Sequence, residues 1–465
     1  MLASLKNIAP LIIYVAALLC CVMAASGRTF RPFLFLTFLL PLRNVVERLT
    51  VFPLGKDIND LLIACLILGI FINKMRHRDK FKNGSSLQGI AWVLIIYTYC
   101  SLLKGYMTLG YFTPFDFSDD RVQDWKNYVL LAVFFFLTMN VVKTRRQVKE
   151  VIFVMGAALL IMDYYTINQI SWYHALLSRD KINATFVFLG PNEVAAFYNQ
   201  ITIVLLSGFL SIKNKFQRLG LFVLIMLNTY CILFLYSRGA YLGMVVGLTL
   251  LFLIKRNFLF VPLVFLILFW QSLLPDQVIE RIEMTRDVYG QLESSAGNRI
   301  LVWQQAIDLW KQEPFLGIGF GVFRRMGFVL GDTHNIYLKV LVEQGIIGLA
   351  IFVILVWKMM SMGWRLYRRG KDDLSEALGL GFSLAVIVAM VNNTFGDRWT
   401  YLEMGGYLWI FAGLVGRMIL INREESQNKK IPPDGNGKGR THKYRSYGQR
   451  LSRNYVRGVP LLDAK

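Results

Sequence analysis

Apolar runs near the length of a membrane crossing recur along the chain, separated by short polar stretches. They fall near 8–25, 30–42, 58–73, 87–104, 126–142, 151–170, 193–212, 219–236, 240–254, 258–274, 336–358, 377–395 and 403–421. A bilayer-crossing helix needs about 20 mostly apolar residues. Lipid offers the backbone no hydrogen-bond partner, so such a stack predicts an all-α polytopic helical bundle of about 12–13 spans. The organisation expected is membrane helices with short loops over 1–274, a large loop over 275–333, membrane helices over 334–421 and a basic, disordered tail over 422–465.

The polar connections alternate in charge. One set is basic: Lys74, Arg76, Arg78, Lys80 and Lys82; Lys143, Arg145, Arg146 and Lys149; Lys213, Lys215 and Arg218; Lys255 and Arg256; Arg365, Arg368, Arg369 and Lys371. The interleaved set is acidic or mixed, with Asp116, Asp119, Asp120 and Asp124 against Arg121. By the positive-inside rule the basic loops are cytoplasmic. Connections 105–125, 171–192, 237–239, 275–333 and 396–402 then face outward. The N-terminus has two readings. Residues 1–7 lie outside if 8–25 and 30–42 both cross, and inside if one is re-entrant. No A-x-A cleavage site follows the first run, which reads as retained.

Composition agrees. Of 465 residues, 55% are hydrophobic and 17% charged, with mean hydropathy +0.46. Soluble domains carry about 25% charged residues. The net charge of +21 would suggest nucleic acid in a soluble protein, but here the cytoplasmic loops account for most of it. The five cysteines lie in apolar runs without metal or disulfide spacing. No phosphate loop, dinucleotide fingerprint or internal repeat is present.

Polar groups at the outward face therefore carry the chemistry. His77 and His442 are cytoplasmic by this topology, whereas His174 and His334 face outward. His334 stands in Gly331-Asp332-Thr333-His334-Asn335-Ile336-Tyr337. With Asp332 or Thr333 as cap, it would occupy the first turn of a helix. The dipole there favours neutral imidazole, the form a general base needs. A plain interfacial histidine is the bland alternative. Arg238, in Tyr236-Ser237-Arg238-Gly239-Ala240, is either a snorkelling rim residue or a fixed cation for lipid-linked phosphate, which its planar donors bind bidentately.

Arg299 opens a helical pattern in which Ile300, Trp303, Ile307 and Trp310 repeat, read as an amphipathic helix on the outer leaflet with Arg299 at its N-terminal end. There it is either tolerated in water or joins helix N–H groups in holding an anion. Gly317, Gly319 and Gly321 could form a phosphate cradle but read as a close-packed re-entrant turn, since no Lys-Ser/Thr follows, with Arg324 and Arg325 as rim anchors or further donors. Lys339 and Glu343 are spaced for an ion pair. Gly190-Pro191-Asn192-Glu193 starts another span, Asp163 pairs with another helix, and Asp397-Arg398-Trp399 is an aromatic-belt turn.

The strings Thr333-His334-Asn335-Ile336-Tyr337-Leu338, Glu343-Gln344-Gly345-Ile346-Ile347-Gly348-Leu349, Gly297-Asn298-Arg299 through Pro314-Phe315-Leu316-Gly317-Ile318-Gly319, and Ser237-Arg238-Gly239-Ala240 resemble motifs of the O-antigen ligase and O-antigen polymerase superfamily. The match covers about 237–350. The resemblance implies a glycosyltransferase of the bacterial cytoplasmic (inner) membrane with its active site facing the periplasm. It would move a glycan from an undecaprenyl-pyrophosphate carrier to an acceptor hydroxyl, with inversion and without a metal or cofactor. Arg238 and Arg299 would grip the pyrophosphate and His334 would activate the acceptor. Asn298, Asn335 and Asn192 are candidate substrate-binding neighbours. Acceptors in the family are a lipid A-core, a glycan repeat or a protein hydroxyl, so ligase, polymerase and protein O-oligosaccharyltransferase readings share these motifs. A lipid-linked glycan flippase or transporter is the alternative from another class, and an envelope scaffold using the tail is a third. The bilayer is a partner in every reading; nucleic acid is in none.

Overall fold

The computed structural model describes residues 2–77, 85, 87–110, 119–172, 176–256, 258–283, 294–327 and 331–428. Arg78, Lys80, Lys82, Asp116, His174, His442, part of the 275–333 connection and the tail beyond 428 lie outside the described residues. Met1–Asn422 forms one compact unit.

The helices are α1 (Leu2–Ala25), α2 (Phe30–Leu39), α3 (Arg43–Glu47), α4 (Ile58–His77), α5 (Leu87–Thr108), α6 (Asp120–Val141), α7 (Arg145–Trp172), α8 (Pro191–Ser211), α9 (Lys215–Phe234), α10 (Arg238–Lys255), α11 (Phe260–Leu268), α12 (Trp270–Leu273), α13 (Asp276–Glu283), α14 (Ser294–Gln312), α15 (Ile336–Arg369), α16 (Asp373–Asn393) and α17 (Leu402–Asn428). No strand occurs among the described residues.

The fold is an all-α helical bundle, and ten of its described helices are long and apolar enough to cross a membrane. The smaller number than the sequence pattern predicts has local causes. The 30–42 run forms a helix of only 10 residues. The 258–274 run breaks at Phe269 into helices of 9 and 4 residues. The 126–142 run belongs to the 22-residue α6, whose first turns carry Asp120, Arg121, Asp124 and Lys126.

Burial orders the bundle. The spans of α8, α16 and α17 are 78%, 78% and 89% buried, so they form its interior. Those of α1 and α9 are 17% and 22% buried and border the surface. Asp163 on α7 is buried and paired with α9, as expected: Cys231 Sγ lies 3.9 Å from its Oδ1, and Asn228 also reaches it once its amide is turned. At the N-terminus, Asn73 near the end of α4 donates to the Gly27 carbonyl at 2.6 Å, and Tyr14 donates to the Pro53 carbonyl at 2.9 Å. The α1–α2 turn carrying Arg28 thus sits level with the basic end of α4.

The feature that shapes the end of the bundle carrying His334 is a break inside α15. Gly345 has φ 67° and ψ −172°, so the helical ladder stops there. The strip after α14 takes over. Ile346 and Ile347 N–H donate to the Pro314 and Phe315 carbonyls at 2.9 and 3.4 Å. Ile318 and Gly319 N–H donate to the Val342 and Glu343 carbonyls, both at 2.9 Å. Tyr97 Oη donates to the Gln344 carbonyl at 2.6 Å. A helix break in an apolar setting persists only where every freed group finds such a partner.

The close approach demands glycine. A Cβ at Gly345 would overlap the Phe315 carbonyl, and one at Gly319 would overlap the Gly105 backbone; both residues have positive φ. The close-packed turn expected at Gly317–Gly321 is thus what the chain forms. Gly345→Ala is expected to lower stability by at least about 2 kcal/mol, from positive-φ strain and the backbone clash. Gly220→Ala, where a Cβ meets open space within α9, should be neutral or stabilising by up to about 1 kcal/mol. Thermal unfolding of the purified variants compares the two, and equal midpoints would remove the strip from the stability argument.

Candidate functional site

His334 precedes α15 instead of standing in its first turn. Asn335 is the cap: its Oδ1 accepts from the Tyr337 and Leu338 N–H groups at 3.0 and 3.2 Å. The two expected caps are engaged elsewhere. Asp332 Oδ1 accepts from the Thr333 N–H at 2.6 Å, and Thr333 Oγ1 donates to the Asn335 carbonyl at 2.9 Å. This turn leaves His334 at φ 49°, a left-handed conformation uncommon outside glycine. Such outliers cluster where function holds the backbone in place.

The half-buried His334 imidazole is pushed below its usual 6.5, first by burial and then by Arg299 and Arg398; Asp332 and Glu193 oppose them. Protonation is therefore disfavoured, and the free base is the resting form at neutral pH. The neutral state was expected, but burial and cations supply it in place of a helix dipole.

Arg299 is also displaced from its expected position. α14 begins at Ser294, so Arg299 lies in the second turn and the N-terminal N–H groups are not beside it. The helix buries Val302, Ala306 and Leu309 against Ile318, Val322, Phe323 and Val342, while Ile300 and Leu301 are exposed. The expected Ile300–Trp303–Ile307–Trp310 stripe is thus rotated, because the glycine strip, not lipid alone, receives the helix. Trp303 Nε1 donates to the Thr333 carbonyl at 2.8 Å, tying α14 to the His334 turn. Asn298 is exposed next to Arg299.

Arg238 is the first residue of α10, after Tyr236 at φ 50°. Asn199 Nδ2 donates to the Ala240 carbonyl at 2.6 Å, and Gly239 faces Phe395. The Arg238 turn therefore rests beside the segment that leads to Arg398. Arg281 Nε donates to the Tyr236 carbonyl at 3.3 Å, bringing α13 to the same end of the bundle.

Several participants were not singled out by the sequence. Arg398, read as part of an aromatic-belt turn, is buried: its Nη1 donates to the Asn392 carbonyl and its Nε lies 3.5 Å from Glu193 Oε1. Arg179 is buried and donates to Asn192 Oδ1 at 2.8 Å. Asn192 thus serves at least to hold an arginine. The Pro191 helix start and the Asp397-Arg398 pair were visible signals; Arg179 had none. Arg325 Nη1 donates to the Gly321 carbonyl at 2.7 Å, which makes it a brace for the strip. In the acidic cluster, Asp119 caps α6 and pairs with the buried Arg121 at 2.9 Å. Among the described residues no three His, Cys, Asp or Glu side chains converge as a metal site.

Lys339 does not pair with Glu343 as its spacing suggested. Its Nζ binds Asp332 Oδ2 at 3.1 Å and also Asp397 Oδ2. Burial raises the Asp332 carboxyl, but Lys339, together with His334 and the Thr333 N–H, more than offsets this and holds it below the usual range. Burial pushes Asp397 up, against Lys339. This ammonium clamps the 331–335 turn to the 396–402 turn. Lys339→Met would strand the buried Asp397 and the partly buried Asp332 carboxylates, and the expected loss is about 3 kcal/mol. Urea or thermal unfolding checks it; a change under 1 kcal/mol would show that the clamp is dispensable.

No curated protein was found to match the chain. Residues 221–353, a minority of the length, match the family model described as O-antigen ligase, and this stretch contains Arg238, Arg299 and His334. On that match, residues 221–353 are similar to the O-antigen ligase family.

Proposed function

We propose that this membrane enzyme transfers a glycan from an undecaprenyl-pyrophosphate carrier to an acceptor hydroxyl at the end of the bundle that carries His334, on the periplasmic side of the inner membrane. The observation that carries the reading is the company of His334: a half-buried imidazole whose charge state responds to Arg299, Arg398, Asp332 and Glu193.

In this mechanism, His334 accepts the proton of the acceptor hydroxyl as the oxygen attacks the anomeric carbon. The bond from that carbon to the pyrophosphate breaks, and its electron pair leaves with the phosphate. Arg238 and Arg299 stabilise the growing negative charge, for which planar guanidinium donors are suited. In-line attack inverts the anomeric configuration. Asn298 lies exposed beside the clamp, while Asn335 and Asn192 hold the His334 turn and Arg179 in place.

The test is a reconstituted assay with a lipid-pyrophosphate glycan and separate lipid A-core, glycan and protein acceptors. His334→Ala should lower transfer by at least about 100-fold. Arg238→Lys and Arg299→Lys should each cost about tenfold or more, because a point charge lacks the bidentate fork. Full activity in all three variants would overturn the assignment. Transfer in detergent, where no gradient exists, separates an enzyme from a flippase.

The pH profile gives an independent check. A general base with a depressed pKa is active above that pKa, so the acid limb of the rate should fall below pH 6.5. Glu193 raises the His334 pKa, so Glu193→Gln should move the limb to still lower pH. A limb that stays in place in Glu193→Gln would separate the titrating group from His334.

A further inference from the structure

The opposite end of the bundle holds a groove unrelated to the His334 site. It has a volume of about 520 Å³, within the range of ligand pockets. Its body is apolar, lined by Leu250 and Ile254 of α10, Met360 and Trp364 of α15, and Leu384 and Ile387 of α16. The floor is set by a close approach of α15 and α16: a Cβ at Gly363 would press on Ser383 Oγ at 2.5 Å and on the Gly379 carbonyl at 2.8 Å. At one end stand Arg365, Arg368 and Arg369, where the last turns of α15 reach the basic loops.

Among the described residues none of these three arginines forms an ion pair with a carboxylate, and the acid packed nearby, Glu376, is bound by Lys255. Three cations without a protein counter-charge thus border an apolar channel open to the surface. Guanidinium groups bind phosphate oxygens through paired donors. Basic pockets between membrane helices on the cytoplasmic side suit anionic head groups.

We infer that this groove binds one anionic phospholipid, with an acyl chain between α10 and α15 and its phosphate on Arg365, Arg368 and Arg369. The inference is independent of the transfer reaction, since none of these residues belongs to the His334 site. The occupant complements the groove in both parts: apolar along the body and negative at the arginine end. Zwitterionic lipid matches the first and presents its phosphate beside a compensating ammonium, so it matches the arginine end less well.

The full-length protein in detergent would be titrated with phosphatidylglycerol and, separately, phosphatidylcholine, and bound lipid counted by native mass spectrometry. One phosphatidylglycerol should be retained well above phosphatidylcholine. Neutralising all three arginines, as Arg365→Gln, Arg368→Gln and Arg369→Gln together, should weaken it on the order of a hundredfold. Ser361 also lines the groove, and Ser361→Phe, which fills it and leaves the arginines in place, should weaken binding at least tenfold while the protein stays monodisperse. Equal retention of the two lipids would overturn the proposal. So would loss in the arginine variant with full binding in Ser361→Phe, which would reduce the effect to surface charge. Stronger retention of undecaprenyl phosphate than of phosphatidylglycerol would also overturn it.

Discussion

The His334 end of the bundle depends on the exchange of backbone hydrogen bonds at Gly345. A helix that breaks in an apolar setting exposes carbonyl and N–H groups that its surroundings cannot satisfy. Residues 314–319 supply both kinds of partner at once, and Tyr97 supplies another. The break therefore cannot form without the strip, nor the strip without the break. This mutual requirement fixes the height at which the connection after α14 enters the bundle. It also fixes where α14 lies, because its buried face rests on the strip.

The His334 turn is held from both sides by consequences of that arrangement. Trp303 binds the Thr333 carbonyl from α14, and Lys339 binds Asp332 and Asp397 from the first turn of α15. The left-handed His334 backbone is thus set by neighbours that are themselves fixed. In the proposed mechanism, a general base at His334 is useful only if its position does not relax. Charge pairs such as Glu193–Arg398 then tune its protonation without touching the reacting atoms.

Much of this was readable in advance. The apolar runs fixed the helical bundle, since no other structure satisfies backbone groups in lipid. The glycines of 317–321 fixed a close-packed turn, because no side chain fits where backbone meets backbone. Elsewhere local pattern misled. Residues 30–42 and 258–274 are apolar enough to cross but form short helices, since hydropathy does not report where packing ends a helix. Asn335, not Asp332 or Thr333, caps α15, because all three are competent caps and only the turn's remaining hydrogen bonds choose among them.

The sequence by itself determined the all-helical architecture, the alternation of basic and acidic connections and the identity of the polar residues at the His334 end. These follow from transfer free energies and backbone satisfaction, which act locally along the chain. Only the tertiary structure decided that Arg398 and Arg179 are buried beside that end, that Lys339 clamps two turns, and that Arg299 lowers the His334 pKa from the second turn of its helix. Those facts join residues far apart in the chain, and their geometry is set by packing that no local periodicity encodes.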